Sequence, residues 1–188
     1  AAFNQQWSVS ISRAGDYLLQ TWLRVKLPVV QAAAGKRVRW TRNLMHNLIK
    51  ECCITFNDLV AARFDNYHLD FWAAFTVPAS KQDGYNRMIG NTVALTDTSQ
   101  TGAGAAGYVP PQLTATLSGG ATPLTASQPA ETFLNLPLPF FYSRDSGVAL
   151  PTAALPYNEM KIQFSFRDWT ELLVAEQLTT VATVNGAM

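Results

Sequence analysis

Charge is what this sequence has least of. Only 14% of its 188 residues are Asp, Glu, Lys or Arg, against about 25% in an average soluble domain. The formal net charge is +1, so no global electrostatic footprint for nucleic acid exists. So sparse a charge leaves two options: a surface of Ser, Thr, Asn and Gln, or one covered by neighbouring molecules. Cysteine is scarce too, with Cys52 and Cys53 adjacent in sequence. Neighbours in one strand point to opposite faces and do not reach disulfide geometry. Asn-x-Ser/Thr acceptors are absent, and both facts fit a chain made in a reducing compartment. No apolar run approaches the roughly 20 residues that a spanning helix needs, and no signal-peptide pattern opens the chain. It starts at Ala1 in mid-pattern, as expected of a fragment or a processed product.

Apolar alternation is what the chain has in abundance. Hydrophobic residues make up 48% and aromatics 11%, enough to bury a core in one ordinary domain or one large β-sandwich. Trp7, Val9 and Ile11 alternate with Ser8, Ser10 and Ser12, the period of a half-buried strand. After Gly15-Asp16, the run from Tyr17 to Leu27 predicts one longer strand, with Leu19, Thr21, Leu23, Val25 and Leu27 sharing a face. Pro28 ends it, having no N–H for a sheet ladder. Leu48 to Phe56 predicts a third strand, with Cys52, Ile54 and Phe56 on one face. Phe133 to Tyr142, interrupted by Pro137 and Pro139, predicts an edge or bulged strand. Met160, Ile162, Phe164 and Phe166 then alternate with Lys161, Gln163, Ser165 and Arg167.

One segment switches to the helical period. Phe64, Tyr67, His68, Phe71, Trp72 and Phe75 form a continuous apolar stripe. Asp65 is its expected N-cap, Phe64 with Leu69 its hydrophobic staple, and Val77-Pro78 its stop. A second short helix is expected over Gln82 to Ile89. Residues 96–132 are dominated by Thr, Ala, Gly, Ser and Pro, the composition of a long exposed loop. Dominant strands, one inserted amphipathic helix and long connections predict an all-β antiparallel sandwich.

The constellations that carry chemistry fail one by one. Gly102, Gly104 and Gly107 match G-x-G-x-x-G, but Thr98-Ser99-Gln100-Thr101 before and Tyr108-Val109-Pro110-Pro111 after give neither strand nor helix. His46 and His68 sit in no metal-ligand spacing, and His68 on the stripe reads as a core histidine. Cys52 reads as a small core residue and Cys53 as a polar-face thiol without an activating partner in sequence. Ser146 lacks a nucleophile elbow and reads as a turn, while Asp145 and Glu159 read as turn or capping groups. Lys36, Arg37, Arg39 and Arg42 around Trp40 combine cations with an aromatic, as single-strand binders do. A solvated loop or a contact with an acidic neighbour is the favoured reading of that cluster. No catalytic, cofactor-binding or metal-binding residue is assigned, and no specific nucleic acid or small-molecule substrate is expected.

Long ordered blocks carry a resemblance. They are Gln6–Leu19, Thr21–Val25, Arg39–Asn43, Met45–Ile49, residues 54–81 (ITFNDLVAARFDNYHLDFWAAFTVPASK), Gly84–Asn91 and residues 134–162 (LNLPLPFFYSRDSGVALPTAALPYNEMKI). Together they resemble the major capsid proteins of iridoviruses, the invertebrate members most of all. The resemblance implies a double jelly roll, of which residues 1–188 would form most of the first roll without its last strands. It implies pseudo-hexameric homotrimers that tile an icosahedral shell and are assembled in the host cytoplasm. The implied partners are copies of the chain, neighbouring capsomers, minor capsid proteins and an inner viral membrane. By the same likeness the loop at about 96–132 would rise on the outer capsid surface. Two other classes compete. A carbohydrate-binding or attachment jelly-roll module would use exposed Tyr108 and Tyr142. An enzyme on a sandwich scaffold ranks last, since no acid–base or metal set is visible.

Overall fold

The computed structural model describes residues 2–27, 30–32, 36–96, 113–115, 133–155 and 159–177. In chain order the strands and helices begin with β1 (Gln6–Ser10), β2 (Tyr17–Leu18), β3 (Trp22–Lys26), β4 (Val30–Ala32) and β5 (Lys36–Trp40). Then come α1 (Leu44–Leu48), β6 (Ile49–Phe56), β7 (Leu59–Phe64), α2 (Asn66–Thr76), α3 (Gln82–Ile89) and α4 (Val93–Thr96). The last are β8 (Leu113–Ala115), β9 (Phe133–Pro137), β10 (Leu150–Pro151), β11 (Met160–Phe166), α5 (Trp169–Leu172) and β12 (Leu173–Gln177). No helix among the described residues is long and apolar enough to cross a membrane.

The main sheet is four-stranded and antiparallel in the order β1-β11-β6-β7, so the late strand β11 lies between the first strand and β6. Its register aligns Trp7, Phe164, Cys52 and Phe64 in one row across all four strands. Val9, Ile162, Ile54 and Ala62 form the next row. Both rows share one face, because side chains alternate along a strand. Opposite this face run Ser8, Gln163, Cys53 and Arg63. The apolar rows pack into one core with the pair β3–β9, where Leu23 opposes Leu136 and Val25 opposes Leu134. Phe64 meets Phe140 edge-on at 5.1 Å, which joins the two layers. Burying Leu134 and Leu136, each at most 2% exposed, contributes about 1.5–3 kcal/mol apiece.

Three expectations need correction. First, the run from Tyr17 to Leu27 is two strands: β2 pairs with β10, and β3 pairs with β9. Between them the Thr21 carbonyl accepts from Leu138 N–H and the Thr21 hydroxyl bonds Tyr142, so the chain changes sheets there and Leu19 stays exposed. Second, β7 has no counterpart in the alternation of the sequence. Leu59-Val60-Ala61-Ala62 shows no alternation, and the hairpin turns on Asn57 and Asp58, both at positive φ (49° and 65°). Asn and Asp tolerate that region better than other non-glycine residues. Third, besides the inserted helix and the expected α3 the chain forms α1, α4 and α5, and the β4–β8 pair is parallel. Apart from 96 and 113–115, the stretch at 96–132 lies outside the described residues.

Helix α2 is capped as its sequence demands, with the Asp65 carboxylate accepting from His68 N–H at 2.8 Å. Its buried residues, however, are Asn66 and Leu69, not the aromatic stripe. Tyr67, Phe71 and Phe75 are 76, 58 and 76% exposed, and His68 is exposed as well. Arg167, at the end of β11, fastens the helix start. Its guanidinium donates to Asn66 Oδ1 at 3.3 Å and to the Asn47 carbonyl at 3.0 Å.

Two glycines of the α3 region give opposite predictions. Gly90 closes α3 at φ 81°, and a Cβ there would stand 2.7 Å from Leu134 Cδ1. Gly90→Ala is expected to cost at least about 2 kcal/mol, from left-handed strain and overpacking together. Gly84, inside α3 with open space around it, should gain about 0.5–1 kcal/mol as Gly84→Ala. Urea unfolding of both variants checks the pair, and equal midpoints would contradict it.

Candidate functional site

The residues singled out in the sequence do not converge. Glycines 102, 104 and 107 and Tyr108 lie outside the described residues. Trp40 is 1% exposed, which removes the aromatic that a single-strand grip around Arg39 and Arg42 would need. Cys52 and Cys53 are both buried and free, and burial pushes both thiols up, away from thiolate chemistry. Cys53 faces away from Cys52 onto the polar face of the sheet, where its own side chain is covered and its Sγ donates to Gln163 Oε1 at 3.7 Å. Ser146 opens a single 3-10 turn capped by Asp145, whose carboxylate accepts from Gly147 N–H at 3.3 Å. Glu159 instead pairs with Lys161 at 3.2 Å, beside Asp58 at 3.3 Å. Tyr142 is fully buried, its hydroxyl 2.8 Å from that of Thr21, so it offers no platform for a sugar. No group of three or more His, Cys, Asp or Glu able to hold a metal occurs among the described residues.

What the fold does assemble is a polar node built on the other histidine. His46, on α1, is 1% exposed. Its Nδ1 lies 2.6 Å from Asp70 Oδ1 on α2, and its Nε2 lies 2.8 Å from Tyr85 Oη on α3. Asn43 Nδ2 also donates to Asp70, at 3.1 Å. A carboxylate only accepts, so Nδ1 carries the proton and donates to Asp70; Nε2 then accepts from the Tyr85 hydroxyl. Every ring nitrogen is satisfied by the neutral imidazole. Burial holds His46 below its ordinary value of 6.5, outweighing the upward pull of Asp70. Burial also pushes Tyr85 up to about 12, with Asp70 adding to it, so the phenol stays protonated and remains a donor. The chain thus ties three helices together through partners 24 and 39 residues from His46.

Tyr85 also lines a cleft of about 860 Å³ between α2, α3 and the segment after β9. Trp72 forms part of its wall, with the Arg144 guanidinium 5.4 Å above the indole. The described node holds no activated nucleophile: the phenol is protonated and the imidazole is engaged on both sides. Its physical action is to fix how α2 sits on the core.

The sign of the pH dependence follows from the lowered His46. Below about pH 6.5 the unfolded chain binds a proton that the folded chain refuses, so stability falls as pH drops through that range toward the folded value. Protonated Nε2 would also confront the Tyr85 hydroxyl with a second donor, forcing it to rotate. Replacement of the titrating ring, as in His46→Gln, is expected to lower stability at pH 7 and to flatten its decline between pH 7 and 5. Parallel denaturation curves for both proteins across that range would contradict the assignment.

Comparison with known proteins adds a family. The model described as "Major capsid protein N-terminus" matches residues 1–187. The chain is 62% identical over 186 residues to the major capsid protein of Wiseana iridescent virus, a match covering 97% of this chain and 34% of that protein. It thus spans about a third of the length of the curated relatives it matches. Among solved structures it resembles PBCV-1 VP54, as fitted into a cryo-EM reconstruction of the virophage Sputnik, with TM-score 0.60 and 20% identity. That match covers 88% of this chain and 31% of the other. It resembles the Faustovirus major capsid protein with TM-score 0.57 and 16% identity, covering 92% and 41% respectively. The antiparallel jelly-roll sandwich with an inserted helix therefore holds as the fold. By the match of its whole described length, the chain belongs to the major capsid protein N-terminal family.

Proposed function

We propose that this chain is the N-terminal, shell-building part of a viral capsid protein that works by self-association and not by catalysis. The observation that carries the reading is the family match over residues 1–187. Large apolar side chains standing open on several faces, Trp22, Leu59, Phe75 and Trp169 among them, support it. A protein that worked alone would bear a cost for that exposure. In this reading the protein is located in the virion capsid and assembled in the host cytoplasm. It forms pseudo-hexameric homotrimers that tile with neighbouring capsomers over minor capsid proteins and an inner membrane. Residues 1–188 are most of the first of two jelly rolls, and the Gly/Ala/Thr/Pro-rich stretch at 96–132 faces outward.

Light scattering on the full-length product is expected to give the mass of a trimer. A stable monomer at micromolar concentration would sink the reading. On intact particles, amides of 96–132 should exchange with solvent faster than those of β6 and β11. Strong protection of that stretch would refute its outward placement.

A further inference from the structure

We propose that His46 works as an acid-operated latch: on taking up a second proton it lets go of the first half of α3 while keeping its hold on α2. The ring sits on α1 and serves a different helix with each nitrogen, Asp70 Oδ1 at 2.6 Å from Nδ1 and Tyr85 Oη at 2.8 Å from Nε2. A proton acts on these two contacts with opposite sign. Nδ1 donates to the carboxylate in either charge state, and a cationic ring strengthens that bond. Nε2 accepts only while the ring is neutral; once protonated it is a donor aimed at the hydroxyl that had donated to it. The phenol does not escape by ionising, because burial and the Asp70 charge both keep its proton on. Its oxygen can accept from Nε2–H only by turning its own proton toward solvent. Tyr85 lines the cleft and His46 does not, with the two rings 5.8 Å apart, so the phenol stands between the imidazole and the cleft. Burial outweighs Asp70 in setting the charge of the ring. A cationic ring is therefore relieved by admitting water, and moving Tyr85 outward admits it.

The start of α3 is built to yield. The single 3-10 turn Ala79–Lys81 before it buries no residue, and Lys81 at the N-cap makes no side-chain capping bond. Gly84 stands within the helix in open space, where a glycine weakens it. Asp83 and Arg87 pair only with each other, at 3.0 Å and both largely exposed. The far end is fastened instead, by buried Ile89 and by Gly90 fitted against Leu134. Helix α2 has further ties besides Asp70: the Asp65 cap, buried Leu69, and Asn66 bonded to Arg167 and Asn47.

No other charge drives the latch. The elements packed against α1 are α2, α3, α5, β6 and β9. On α2, His68 lies exposed against Phe64 and Trp72. On α5, Glu171 pairs with Arg167; on β6, Lys50 and Glu51 are exposed and Cys52 and Cys53 stay protonated thiols. Strand β9 carries no titratable side chain. Only Asp70 acts by its charge on His46, and only Asp70 on Tyr85. Lys81 and Arg144 line the cleft side. The neutral, latched ring holds at pH 7, and the latch opens as pH falls below the ordinary 6.5 toward the lowered folded value.

Hydrogen exchange of the full-length protein at pH 7 and pH 5, with the intrinsic pH dependence of exchange divided out, tests the proposal. In wild type the amides of residues 85–88 should exchange about tenfold faster at pH 5, while those of α2 keep their protection. His46→Gln, whose amide does not titrate, should remove the difference. Tyr85→Phe keeps the ring and loses the hydroxyl, so its residues 85–88 should already exchange faster than wild type at pH 7. Equal protection of wild-type α3 at both pH values would overturn the inference. So would a pH response that His46→Gln retains, a loosening of α2 alongside α3, or Tyr85→Phe matching wild type at pH 7.

Discussion

Strand β11 is paired along both edges, and the arrangement of the chain depends on that double pairing. On one side Phe164 opposes Trp7 and on the other Cys52, so residues more than a hundred positions apart must meet before either apolar row exists. Because the side-chain period is two, a slip of one residue would send Ile162 and Phe164 outward and bring Lys161 and Gln163 in. Register is therefore strongly specified here. The same register places Cys53 next to Gln163 on the far face and seats Arg167 where it can reach both α1 and α2. The sheet thus fixes not only the core but the point from which the helices are hung.

Where one face is buried and the other wet, the sequence shows it. Met160 to Phe166 alternates cleanly, and the structure buries Met160, Ile162, Phe164 and Phe166. The helix over Gln82 to Ile89 and the Asp65 cap are equally legible, since both depend on neighbours within a few residues. The two halves of Tyr17 to Leu27 look like one strand because alternation records a face, not a partner; β2 and β3 pair with different strands. β7 is hidden for a related reason: as an edge hairpin strand it buries Phe64 and leaves Leu59, Val60 and Ala61 open, so no alternating signal is written into it. The polar node is illegible for a third. His46, Asp70 and Tyr85 stand on three helices, and nothing within a local window announces that those helices converge.

Helix α2 shows the limit of periodicity most clearly. Its stripe has the right spacing for an amphipathic helix, and a monomeric domain would turn that stripe inward. The structure turns inward Leu69 and Asn66 instead, with Asp70 beside them. Asn66 is satisfied there by Arg167 and by Asn47, so a polar face can be the buried one without leaving groups unpaired. Apolar spacing says that a face leaves water. It does not say whether the covering is the chain's own core or another molecule, and in a family whose members build shells both demands are written in the same alphabet.

The buried node then has a physical role that an apolar contact would fill less well. Leucines packed at the same place would hold α1, α2 and α3 together but would tolerate small rotations, because dispersion is non-directional. The hydrogen bonds that His46 donates to Asp70 and accepts from Tyr85 have preferred angles, and a half-made network leaves a buried donor or acceptor at a cost of about 1–3 kcal/mol. Rotating α2 about its axis would break the Asp70 contact before it relieved the exposed aromatics. The aromatic face cannot roll inward, and its exposure is thereby a locked property of the fold.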